Sequence, residues 1–358
     1  MRNRRAVALV FASAFGCVGC RGSSTRGVTP EHLPDERALV TVRSALSGKV
    51  RWTAKVPGRC GRVSAAGESY LVINDQVLDR RTGRWMWHAN GAVGVRGAST
   101  GTDGDVSPVV DGPTIIVMHR GALQGRDPRT GRMRWTRRQA WFAHSLMAVG
   151  PSTVVAARGG VPGAVTTAAT AWDRATGKKR WSAEIPSGSI ALTRTMVAVN
   201  GDALRGLDVN TGAPRWVAPL GSAPVAVGVD ADVAVVGGAD GIVAFDAVTG
   251  SRRWTAAGFD HFLVQPGSGV VTMSRNNEPT DELVDLKSGA RRLKLDGLNS
   301  AILPVSATRV VRAGLGVYEG IRGDGRVVWT ASKARGFASE SDALVGKDLV
   351  TIPDHCER

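Results

Sequence analysis

The sequence predicts an all-β fold, an eight-bladed β-propeller of four-stranded antiparallel blades, with a seven-bladed ring as the alternative count. Three observations lead there. A nine-residue segment recurs along the chain. Its glycines return at steps of about forty residues, the length of one four-stranded blade. Between copies lie short apolar or alternating runs bounded by Gly, Asp, Asn or Ser, with almost no capped helical periodicity.

The recurring segment reads Asp-x-x-Thr-Gly-x-x-x-Trp. Five full copies place Asp79, Gly83 and Trp87; Asp127, Gly131 and Trp135; Asp173, Gly177 and Trp181; Asp208, Gly212 and Trp216; and Asp246, Gly250 and Trp254. A sixth copy, 285–293, carries Ser288 for Thr and Leu293 for Trp. Partial copies run from Gly48 to Trp52 and from Gly325 to Trp329, and the seven-bladed count follows if the weak copy near Gly325 is not a blade. Of the eight positions four residues beyond these glycines, seven are Trp, in a chain with only ten Trp among 358 residues. Random scatter would put fewer than about one there, so the period is a property of the fold.

Each motif residue has a local task. An Asp carboxylate bonds backbone N–H groups ahead of it and starts a turn. Thr or Ser adds a second local bond. Gly takes the positive φ that a longer hairpin loop needs where it hands over to the next strand. Trp lies on the returning strand, where a ring burying up to ~250 Å² can fill space between blades. The apolar runs at 114–118, 153–157, 196–199, 233–236, 270–273 and 309–311 read as buried inner strands.

The N-terminus reads as an export signal. Arg2, Arg4 and Arg5 precede an uncharged, mostly apolar stretch over 6–15. That stretch is shorter than the ~20 residues a spanning helix needs. It ends in small residues before Cys17 and again before Cys20. This resembles a bacterial lipobox, whose cysteine becomes a lipidated N-terminus; Cys17 fits that pattern better, and Cys20 is the alternative. The organisation expected is a lipoprotein signal peptide over 1–16, a polar Gly/Ser/Pro-bearing tether over 17–37, and a propeller over 38–356.

Spacing, turn residues and Trp together resemble the pyrroloquinoline-quinone-like β-propeller repeat family, over roughly 38–353. The resemblance implies that the Asp-x-x-Thr-Gly turn joins the third and fourth strands of a blade, with the Trp on the outer strand. The N-terminal segment 38–55 then supplies the last two strands of one blade. Segments 343–345 and 348–352 supply its first two, so the chain ends close the ring and remove exposed sheet edges. Under this closure Cys60 and Cys356 fall near one seam, and a disulfide between them is expected in an exported compartment.

Little in the sequence points to chemistry. The formal charge is +15, about +12 once the three Arg of 1–16 are removed, with no dense basic run, so no specific nucleic-acid partner is expected. Family members that are dehydrogenases carry an adjacent Cys pair, a calcium site and a catalytic Asp. The body of this chain has only Cys60 and Cys356, and no His pair at metal-ligand spacing. No catalytic, cofactor or metal residue is assigned. The resemblance extends to a lipid-anchored, non-enzymatic propeller subunit of the outer-membrane β-barrel assembly machinery. It implies an exported, membrane-anchored scaffold, a monomeric propeller within a complex, binding protein partners at the cell envelope. The alternative is a periplasmic or extracellular quinoprotein-like enzyme with a site in the central channel.

Overall fold

The computed structural model describes residues 37–57, 63–73, 75–89, 92–93, 113–119, 121–138, 145–158, 166–186, 190–192, 195–200, 203–220, 224–238, 241–265, 267–275, 280–296, 301–314, 317–332, 343–345 and 347–352. They form eight four-stranded antiparallel sheets. Blade 1 joins both chain ends, in the order Ala343–Val345, Asp348–Thr351, Arg37–Ser44, Val50–Pro57 from inside out. Thr41 lies opposite Thr351 on one side and Thr53 on the other, which stitches the ends into one ladder. Blades 2 to 8 follow in chain order over 63–88, 92–138, 145–186, 190–219, 224–256, 261–296 and 301–332.

Alternation along the strands sends apolar side chains to both faces of each sheet, so the core is a set of slabs between neighbouring blades. One slab gathers Val77 and Trp87 of blade 2 with Ile116 and Leu123 of blade 3. Another gathers Val270 and Leu283 of blade 7 with Val310 and Ile321 of blade 8. A third gathers Val311 and Tyr318 of blade 8 with Leu344 and Leu349 of blade 1, so this junction packs like the others, and the ring is closed by the ladder inside blade 1.

Every blade carries a register shift between its third and fourth strands, just after the turn. In blade 3, Met133 faces Arg126 and Trp135 faces Gly125, leaving Arg134 unpaired in the ladder. Such a bulge re-aims the extra side chain and sharpens the twist.

Candidate binding face

In blades 2 to 7 the turns joining third and fourth strands share one construction. In blade 2 the Asp79 Oδ1 accepts the amides of Arg81 and Thr82 at 3.0 and 2.8 Å and the Thr82 hydroxyl at 2.8 Å. The Gly83 amide donates to the Asp79 carbonyl. The bulged residue supplies what the motif reading missed. In blades 3 to 7 it is an Arg, and it folds back onto the second carboxylate oxygen of the turn Asp. The pairs are Arg134–Asp127, Arg180–Asp173, Arg215–Asp208, Arg253–Asp246 and Arg292–Asp285. Arg134 and the Thr130 amide hold the Asp127 carboxyl down at about 2. Arg215 does the same at Asp208 and Arg292 at Asp285, each about 2. That Arg recurs seven residues after the Asp, but its identity does not set it apart from the other arginines near the turn; the bulge does.

The turn of one blade also receives the indole of the blade before it. Trp52 donates Nε1–H to the Arg80 carbonyl at 2.8 Å, Trp87 to Pro128 at 2.9 Å, Trp135 to Arg174 at 3.0 Å and Trp181 to Val209 at 3.0 Å. Trp216, Trp254 and Trp329 reach Ala247, Leu286 and Ala45 in the same way. The ring lies on the turn glycine. A Cβ on Gly83 would sit 2.4 Å from Trp52, and one on Gly131 2.6 Å from Trp87. These glycines are therefore fixed twice, by φ values of 72° and 70° and by the indole above them. On the indole's other side, Gly125, Gly206 and Gly320 of the third strands leave room that a Cβ would fill.

Two turn arginines pin blades together. The buried Arg174 of blade 4 donates Nε and Nη2 to the Thr114 carbonyl of blade 3, at 3.1 and 2.8 Å, and Nη1 to Gly150. Arg80 of blade 2 donates to Asp348 of blade 1 at 3.1 Å and to Gly67 at 2.8 Å.

The repeated carboxylates are thus consumed by the turns, and none is left as an acid–base pair. Among the described residues no group of three His, Cys, Asp or Glu could hold a metal ion, and no helix is long and apolar enough to cross a membrane. Cys17, Cys20, Cys60 and Cys356 lie outside the described residues.

The turn end of the outer strands is presented to solvent. The residue two beyond each turn glycine is exposed in all eight blades. In blades 8, 1, 2 and 3, which are consecutive around the ring, it is Val327, Val50, Trp85 and Met133, at 40%, 49%, 57% and 56% exposure. In blades 4 to 7 it is Lys179, Pro214, Arg252 and Arg291. The rim is therefore two-sided, one half studded with apolar side chains and the other mostly with cations.

No curated protein matches the chain. Solved structures do. BamB from Moraxella catarrhalis is 15% identical and covers 81% of this chain and 95% of its own, with a TM-score of 0.50. The computationally designed Ika8 protein is 17% identical, over 81% and 96%, with a TM-score of 0.57. The dihydro-heme d1 dehydrogenase NirN in complex with DHE is 12% identical, over 86% and 76%, with a TM-score of 0.51. At these identities the likeness carries the fold alone, and it spans an assembly factor, a design and an enzyme. The sequence match is more specific. The family model for outer membrane protein assembly factor BamB matches residues 32–189, 138–257 and 168–355, nearly the whole propeller. This chain belongs to the BamB family of eight-bladed, pyrroloquinoline-quinone-like β-propellers.

Proposed function

We propose that this protein is an exported, lipid-anchored scaffold that binds protein partners at the cell envelope and serves outer-membrane protein assembly. The family match over 32–355 carries the reading. Two features of the chain support it. The motif carboxylates are spent on turns, which leaves a rigid ring with its variation on the rim. The residues before Cys17 have the basic, then apolar, then small-residue order of a lipoprotein signal. Acyl chains on Cys17 would hold the protein to a membrane by burying methylenes, at about 0.8 kcal/mol each. A Cys60–Cys356 disulfide would clamp the connections flanking blade 1.

Affinity capture of the chain from its native membrane tests this, with Cys17→Ser in parallel. The expected result is recovery of outer-membrane assembly proteins with the wild type, and release of the variant from the membrane fraction. Recovery of no partner, together with quinone-dependent oxidation of a small alcohol, would replace the scaffold with an enzyme.

A further inference from the structure

We infer that the propeller body docks on an anionic lipid bilayer through the turn-end edge of blades 2 and 3, centred on Trp85 and Met133. This goes beyond the scaffold reading and does not require lipidation.

The argument starts from what those side chains present. Trp85 follows the turn of blade 2 and is 57% exposed. Its single polar atom is satisfied within the protein, because Nε1–H donates to Gln76 Oε1 at 2.9 Å. The ring is thus oriented by a buried glutamine, and what it offers outward is hydrocarbon. Met133, at the same place in blade 3, adds a second apolar side chain, 56% exposed. Neither position serves a slab of the core. Trp87 and Trp135, two residues on, do that.

The same edge is cationic. Arg81, Arg84, Arg129 and Arg132 are all exposed. The two carboxylates closest in sequence are spent: Asp79 on the amides of its turn, and Asp127 on its turn and Arg134. Arg81 lies in the field of the Asp79 carboxylate, and Arg84, Arg129 and Arg132 are the exposed cations left for an anionic partner.

Three features favour a bilayer over a protein surface. In blades 2 and 3 the exposed large apolar side chains come singly, Trp85 and Met133, each following an exposed arginine, whereas a protein partner would favour one contiguous patch. Indole and long basic side chains are the groups that settle at a membrane–water interface, with the apolar part in the acyl boundary and the charge among headgroups. Basic residues near an anionic surface add attraction without needing shape complementarity. Blades 4 to 7 act as an internal contrast. They carry cations or proline at the equivalent position, and their exposed apolar side chains, Val217 and Val248, lie elsewhere on blades 5 and 6.

The test reads Trp85 directly. The full chain is mixed with vesicles of phosphatidylglycerol bearing brominated acyl chains, and with brominated phosphatidylcholine as the neutral control. Bromine quenches only an indole that reaches the acyl region. A chain with Cys17→Ser and Cys20→Ser, unable to carry lipid under either assignment, is measured alongside, so a failure of the anchor is distinguished from a failure of docking. The expected result is quenching on the anionic vesicles for both chains, an increment that Trp85→Phe removes. Arg84→Glu with Arg132→Glu should lower that increment on the order of tenfold or more. Salt at about 0.5 M, where screening acts within a few ångströms, should suppress it. These exposed positions leave the slabs untouched, and an unchanged unfolding midpoint for each variant confirms that the loss is one of docking. Three outcomes would overturn the inference: vesicle-bound chain with Trp85 unquenched, equal quenching on neutral and anionic vesicles, or protection of Trp85 by a second copy of the chain without lipid.

Discussion

The junction between blades 7 and 8 differs from the other seven, and the difference shows what holds the ring together. At seven junctions an indole lies on the next turn glycine and donates to the carbonyl beside it. That includes the junction of blades 8 and 1, where Trp329 reaches Ala45 across the meeting of the chain ends. From blade 7 to blade 8 the residue is Leu293, which has no N–H to give. A Cβ on Gly325 would meet it only at 3.7 Å. The receiving turn is also tighter, with Gly325 bonded back to Arg322 and with Arg322 paired to Asp324 within the turn. The full lock is thus kept on both sides of blade 1, the blade built from both chain ends, and it is absent between blades 7 and 8.

Removing the ring tests the comparison most strongly. Trp135→Ala should lose about 3–5 kcal/mol of stability through the cavity and the forfeited bond to Arg174. Leu293→Ala, at a partly buried residue, should lose about 1–2 kcal/mol, and denaturant midpoints with a constant m-value would separate them. The glycines come next. Gly131→Ala must meet both a left-handed φ and the Trp87 ring, whereas Gly325→Ala meets the φ alone, about 1–2 kcal/mol. A larger loss at 131 than at 325 is expected from thermal unfolding of the two variants.

A third change attempts to build the missing lock. Leu293→Trp alone should destabilise by about 1–3 kcal/mol through overpacking. The residue opposite it is the buried Leu283, where five other blades place Gly125, Ala171, Gly206, Ala244 or Gly320 and two place Val42 or Val77. Adding Leu283→Ala should recover part of that loss, a favourable coupling of about 0.5–3 kcal/mol in a double-mutant cycle.

The acid response is smaller and has two signs. Asp127, Asp208 and Asp285 have folded pKa values of about 2, below the usual 3.8. Their contribution is present above pH 3.8 and is lost as pH falls through 2. Replacing Arg215 by Met should flatten that loss in acid unfolding. Asp281 runs the other way, because burial pushes its carboxyl up to about 6. It destabilises the fold increasingly from pH 3.8 to 6, so Asp281→Asn should raise the melting temperature at pH 7 and leave it unchanged below pH 4.

These contrasts also mark what the sequence could reveal. Turn, Trp and strand were legible because one physical problem, closing a hairpin against the next blade, is solved repeatedly in the same residues. The segment expected at 233–236 is the strand Val233–Gly238, and the C-terminal pair at 343–345 and 348–352 does complete blade 1. The second reason for each turn glycine was not legible, since the contact with the preceding indole crosses a whole blade. Nor was the role of the cations. Arg134 and Arg132 look alike in sequence, yet the bulge returns the first to Asp127 and leaves the second exposed. The two-sided rim stayed hidden because its pattern appears only when the eight blades are aligned and placed around a circle.

Val310 and Val311 sit side by side on one strand of blade 8 and face opposite slabs, the first toward blade 7 and the second toward blade 1. The most direct test replaces each singly by Cys and measures its labelling by a thiol reagent under native conditions, with the parent chain as background. The lock account predicts faster labelling for Val310→Cys, because the junction without an indole opens first. Equal rates, or faster labelling for Val311→Cys, would show that the indole locks do not set the strength of the ring.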